Sequence, residues 1–201
     1  ATARLDAANA AFAAGNPDRA ASIAALDAQI THAEDGVWAA QAMAAAISAL
    51  AGGGDLEAAL AHARAQLPPD SWVAHGDRVA RELLAQSDSD LDLSYLLGTQ
   101  LINTVYSYGN AAPETLPAAL AIVEQCQGDL LRAVNLANTL HKSADSLPAM
   151  VGALCGTYQG AGAISQRWRD ALNEVRGLCL PFLAGKRLDQ CVQALAYNVA
   201  N

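Results

Sequence analysis

The chain has 201 residues, 53% of them hydrophobic but only 5% aromatic, and a formal net charge of −8. The length suffices for one domain with a sizeable core, and an apolar fraction made largely of alanine favours closely packed helices over a sheet. Twelve Lys and Arg against twenty Asp and Glu, with no basic run, exclude nucleic acid as the natural partner, and no stretch reaches the roughly 20 apolar residues of a membrane span.

Residues 1–14 carry Arg4, Asp6 and Asn9 and lack a basic segment followed by an apolar one, so they do not read as a signal peptide. Asn16 and Pro17 open the first clear helix, expected over 18–30, with Asn16 as cap and Pro17 where a missing N–H costs nothing. After Thr31 and His32 a helix over 37–50 carries Val37, Met43, Ile47 and Leu50 among alanines and is expected to be buried on most sides. Gly52-Gly53-Gly54 ends it, and Asp55 caps a helix over 56–66. Another helix is expected over 71–86.

The acidic, serine-rich segment 87–92 reads as an exposed loop, and 93–108 as a helix. Pro113 and Pro117 suit the first turn of the next helix. Asp129 caps 130–140, 141–146 interrupts, and 147–158 is helical, with Gly152 and Gly156 spaced for close helix contact. Helices over 165–180 and 188–199 complete the series. With no fixed-period repeat, the whole of 1–201 reads as a single all-helical domain.

Cys126, Cys155, Cys179 and Cys191 form no C-x-x-C pair and have no histidine at zinc-ligand spacing. They are expected to be free thiols packed as small hydrophobes in a reducing, cytoplasmic compartment. Trp38, Trp72 and Trp168 are expected in core or half-buried positions. His62 and His75 read as surface residues.

Three stretches, in order, carry a likeness. Residues 14–21 (AGNPDRAA) run into Thr31-His32-Ala33-Glu34-Asp35-Gly36; residues 114–120 read ETLPAAL; residues 143–156 read SADSLPAMVGALCG. Together they resemble the "GDPERAA…THxxDG", "ETLPAAL" and "DADTIAAIAGALAG" segments of the ADP-ribosylglycohydrolase family, over about residues 14 to 170. That resemblance implies an all-α, compact multi-helix orthogonal bundle around a binuclear magnesium site. It implies magnesium-dependent hydrolysis of the glycosidic bond of ADP-ribose, with ADP-ribose or an ADP-ribosylated molecule as partner. Magnesium prefers hard oxygen ligands, which an aspartate-rich turn provides.

Position by position, the resemblance makes Ser143, Asp145 and Ser146 the metal-site residues, and His32 and Arg4 the contacts to ADP-ribose. Ser143 stands where the family has its first aspartate, a neutral hydroxyl in place of a carboxylate. His141 and Lys142 precede the turn where the family has neither. The family's N-terminal metal ligands and most of its phosphate loop have no counterpart, Ala1-Thr2-Ala3-Arg4 resembling only the end of that loop. Local readings stand beside these: Asp145 as the N-cap of the 147 helix, Ser143 and Ser146 as caps or loop hydroxyls, and His32 as an imidazole at a helix end. His141 and Lys142 fit a solvated loop or a replacement anion-binding pair. The expectation is an ADP-ribosylglycohydrolase-like protein inactive on its own, the alternative a non-catalytic helical binding or structural module.

Overall fold

The computed structural model describes residues 13–102, 104–105 and 110–200, apart from the side chains of 195–200. Among them are ten α-helices and no sheet. They are α1 (Pro17–Ala28), α2 (Asp35–Ala51), α3 (Leu56–Ala65), α4 (Trp72–Gln86), α5 (Asp90–Gln100), α6 (Ala112–Gln125), α7 (Leu130–Asn138), α8 (Leu147–Gln159), α9 (Gln166–Leu172) and α10 (Leu188–Ala200). None of them is long and apolar enough to cross a membrane. The chain forms two compact units, residues 1–159 and 160–201.

Short polar side chains start most of these helices by satisfying backbone N–H groups that have no partner within the helix. Asn16 accepts from Arg19 N–H at 3.1 Å, Asp55 from Ala58 at 2.7 Å, Ser71 from Ala74 at 3.1 Å and Asp129 from Arg132 at 2.8 Å. The same chemistry corrects the expected loop over 87–92. Ser89 accepts from Asp92 N–H at 3.2 Å, and α5 starts at Asp90. The two aspartates of its first turn lie where the helix dipole favours negative charge.

α5 ends at Gln100, short of the helix expected to 108; Asn103 and residues 106–109 lie outside the described set. The helix expected over 165–180 stops at Leu172. Beyond it, Glu174 pairs with Arg187 in an isolated antiparallel bridge, and Val175 N–H donates to the Lys186 carbonyl at 2.9 Å.

In the unit 1–159, α2 is the central helix, packed against α1, α3, α6 and α8. Every residue from Ala42 to Leu50 is buried, as the alanine-rich pattern led one to expect. Small side chains let helix axes approach closely, and Met43 and Ile47 supply the bulk. α6 is buried continuously from Pro113 to Val123. It packs on α4 at Gly76, where an added Cβ would lie 2.1 Å from the Pro113 carbonyl oxygen. Pro117 has no N–H to offer that carbonyl, so the oxygen stays open to the α4 backbone.

Gly152 faces Val134 of α7 at ordinary contact distance, whereas Gly156 faces open space, so only the first of the expected close-contact glycines acts as one. Trp38 is half-buried against the core. Trp72 and Trp168, expected inside or half-buried, are 53% and 52% exposed. Trp72 leans edge-on against His75, and Trp168 lies in the short α9. All four cysteines are free thiols. Burial raises Cys126 to about 11 and Cys155 to about 12, keeping both as inert thiols, while Cys179 and Cys191 are exposed rather than packed.

α5 is tied to α7 by Asp90, which receives Arg132 Nε at 2.6 Å and Nη2 at 2.5 Å, and to α6 by Gln125 Nε2 at 3.2 Å. These bonds, Arg132's first, hold the Asp90 carboxyl below its ordinary 3.8. A depressed native pKa contributes stability that is complete above the unfolded value and is lost as pH falls through the native one. Wild type should therefore lose stability below pH 3.8 more steeply than Asp90→Asn. Urea melts across the acid range check this, and parallel curves would contradict it.

Candidate functional site

Four segments of the unit 1–159 are linked in turn by direct contacts. The first is the turn 31–36. His32 Nδ1 lies 2.8 Å from Thr31 Oγ1, and its exposed ring packs over Gly36, where an added Cβ would lie 3.1 Å from the ring's Cδ2. Asp35 Oδ1 accepts Val73 N–H at 2.8 Å, so this carboxylate caps the start of α4 across 38 residues of sequence.

The backbone of this turn is strained. Glu34 holds φ 48° and ψ −121°, and Gly36 N–H donates to the Ala33 carbonyl at 3.1 Å. That is the first corner of a type II′ turn, a position that favours glycine. Glu34→Gly should stabilise the fold by roughly 1 kcal/mol, the relieved strain exceeding the entropy gained by the unfolded chain. Denaturant titration reads this, and a loss of stability would show that the turn is unstrained.

The second segment is the start of α4, and the third is the start of α6 with Asn110 and Ala111 ahead of it. Between them lies a crevice of about 60 Å³ lined by Trp72, His75, Gly76, Pro113 and Glu114 among others. Asn110 sits at φ 63°, a left-handed conformation that asparagine tolerates better than most residues.

The fourth segment is 141–146, which opens with a single 3₁₀ turn at His141–Ser143. Asp145 is exposed, and both its carboxylate oxygens accept the Asn110 side-chain amide at 3.1 Å. The N-cap position expected for it belongs to Ser146, whose carbonyl accepts Met150 N–H at 3.2 Å and opens α8. Ser143 is completely buried, and its Oγ has no hydrogen-bond partner among the described residues. His141 is exposed, as a loop histidine would be.

Lys142 is neither a solvated loop residue nor one arm of an anion pair with His141. Its ammonium lies 2.9 Å from Glu114 Oε2, the two side chains being only 9% and 3% exposed. A pair so buried must be well bonded to offset the loss of hydration. Sequence reading missed Glu114 as a site residue because its partner stands 28 positions away. The one available signal was a glutamate in an otherwise apolar helical run.

The sequence-predicted residues are thus partly gathered. Ser143, Asp145 and Ser146 share one turn, which touches the start of α6. His32 belongs to the turn that caps α4. Arg4 lies outside the described residues.

This donor set does not suit a pair of magnesium ions. Of its three residues only Asp145 is a carboxylate, and both its oxygens are engaged by Asn110. Ser143 is neutral and enclosed, and the neighbouring Lys142 brings positive charge into the corner. Magnesium takes near-octahedral oxygen coordination with carboxylates supplying the charge. Among the described residues no group of three or more His, Cys, Asp and Glu side chains could hold a metal ion.

Comparison with known proteins fits the scaffold better than it fits the turn. No curated protein and no solved structure gives a significant match. The family model described as ADP-ribosylglycohydrolase, however, matches residues 1–199, essentially the full length over which the helices and the three sequence segments run. With the all-α architecture and that match in hand, the chain belongs to the ADP-ribosylglycohydrolase family.

Proposed function

We propose that this chain is an ADP-ribose-directed member of the family that does not, on its own, carry out magnesium-dependent hydrolysis of the glycosidic bond. The family acts on ADP-ribosylated substrates, generally with a divalent metal. The observation that carries the reading is Ser143, a fully buried hydroxyl without a partner among the described residues, at the position that the resemblance matches to the family's first aspartate. A metal-activated water needs a fixed, charged oxygen shell, and this turn brings one engaged carboxylate to it.

In this reading His32, beside the strained turn at Glu34, and Arg4 contact ADP-ribose. Asp145 and Ser146, with Ser143, are what persists of the metal-binding turn, and any ion they held would be magnesium. The crevice between α4 and α6 gives a ligand a concave surface with an exposed indole at its edge. The free, buried thiols of Cys126 and Cys155 suit a reducing, cytoplasmic setting.

The test is to incubate the chain with N-linked and O-linked ADP-ribosyl substrates, in magnesium and in EDTA, and to quantify free ADP-ribose by chromatography. The expected result is no release above the protein-free control in either buffer. Magnesium-dependent release abolished by Asp145→Asn would make the chain a self-sufficient hydrolase and overturn the proposal.

The buried Lys142–Glu114 pair favours a second reading, a non-catalytic binding or structural module that retains the scaffold. It is distinguished by calorimetric titration with ADP-ribose, which should give saturable binding without turnover on the first reading and no heat on the second.

A further inference from the structure

The corner where α6 meets the 141–146 turn holds a cation of its own. Lys142 Nζ lies 2.9 Å from Glu114 Oε2, in the first turn of α6. One residue on, Ser143 is fully buried and its hydroxyl has no partner among the described residues; two further on, Asp145 is anchored by Asn110, two residues before the start of α6. The turn is therefore fastened at two points, inside to α6 itself and at the surface to the residue just ahead of it. The inner fastening is an ion pair whose positive member is a side chain.

We propose that Lys142 is the built-in counter-cation of this corner, its ammonium neutralising the buried Glu114 carboxylate and fixing the 141–146 turn without a divalent ion. The inference rests on the functional reading only in taking the turn to be metal-poor. Lysine and a bound ion are competing solutions here. A buried carboxylate needs positive charge nearby, and an ammonium already within hydrogen-bond distance lowers what a cation could gain by entering.

Two measurements on the full chain test this. The first is a double-mutant cycle read by thermal unfolding in EDTA, using Lys142→Met, Glu114→Leu and the double variant. Each single change removes one member of the buried pair and should lower Tm by about 10 °C, while the double variant should recover most of that loss. A single variant too unstable to fold counts as a large loss, provided that the double variant folds. Additive losses, or single variants that melt like wild type, overturn the proposal.

The second is electron paramagnetic resonance of free manganese(II), used as the metal probe with the unaltered chain. The aquo-ion signal should keep its full amplitude, or any loss should persist in Asp145→Asn. A loss that Asp145→Asn abolishes places an ion at the corner and overturns the proposal. Release of ADP-ribose by the chain would refute the functional reading and leave the cycle untouched. A null cycle would refute the role of Lys142 and leave the functional reading standing.

Discussion

Gly76→Ala should destabilise the protein by about 3 kcal/mol, at the upper end of what overpacking costs. The sign runs against local propensity, because glycine within a helix is about 1 kcal/mol worse than alanine. Packing decides it. The new methyl carbon would lie 2.1 Å from the Pro113 carbonyl oxygen and 3.1 Å from Pro117 Cγ, and the nearer atom is backbone. It could move only if α6 shifted, and α6 is buried from Pro113 to Val123. Because Glu114 lies in the same turn, such a shift would also disturb its bond to Lys142. Denaturant unfolding checks the magnitude, and a stabilised Gly76→Ala would mean that α4 and α6 do not approach as described.

Arg64→Met should cost about 3 kcal/mol, the lower end for breaking a buried ion pair. Arg64 extends from α3 to two partners, Nε to Asp77 Oδ1 at 3.2 Å on α4 and Nη2 to Glu124 Oε2 at 2.8 Å on α6. Burial works to lower the guanidinium pKa, but the hydrogen bonds and charges of Glu124 and Asp77 hold it above its ordinary value. Glu124 is half-exposed and regains water when the arginine is removed, so its share is small. Asp77 is only 9% exposed and is left with a buried charge. Arg64→Met combined with Asp77→Leu should therefore recover much of the loss. A double variant as unstable as the sum of its parts would contradict this, as would a single variant within 0.5 kcal/mol of wild type, the roughly neutral range for surface changes.

What could be read from the sequence follows from range. Asn16, Asp55 and Asp129 identified helix starts because a cap needs only the next three residues. The burial of α2 was legible from its alanines and spaced larger residues. Ser89 was the same kind of signal, obscured by the acidic residues around it. The end of α9 was not legible, because the Glu174–Arg187 bridge that follows joins residues thirteen apart.

The site divides in the same way. The three family-like segments were visible as strings of residues, and the structure packs the helices of the second and third, α6 and α8, against each other, while Lys142, one residue ahead of the third, bonds Glu114 of the second. A serine at 143, where the resemblance expects an aspartate, was visible in the sequence, but its burial and its lack of a partner among the described residues were not. Lys142 read as surface because lysine is rarely buried, whereas in the fold its ammonium bonds a carboxylate 28 residues earlier in the chain. Asp35 likewise matched a family turn in sequence, while its role as a cap on α4 depends on a contact 38 residues away.

The most direct measurement is the melting temperature of the unaltered chain in EDTA and in millimolar magnesium. A ligand that binds only the folded state must raise Tm as its concentration exceeds Kd. If the 141–146 turn is organised by Lys142 and Glu114, the two melting curves coincide. A rise of several degrees that saturates with magnesium and is lost in Asp145→Asn would show that a divalent ion holds the turn, and would contradict the account.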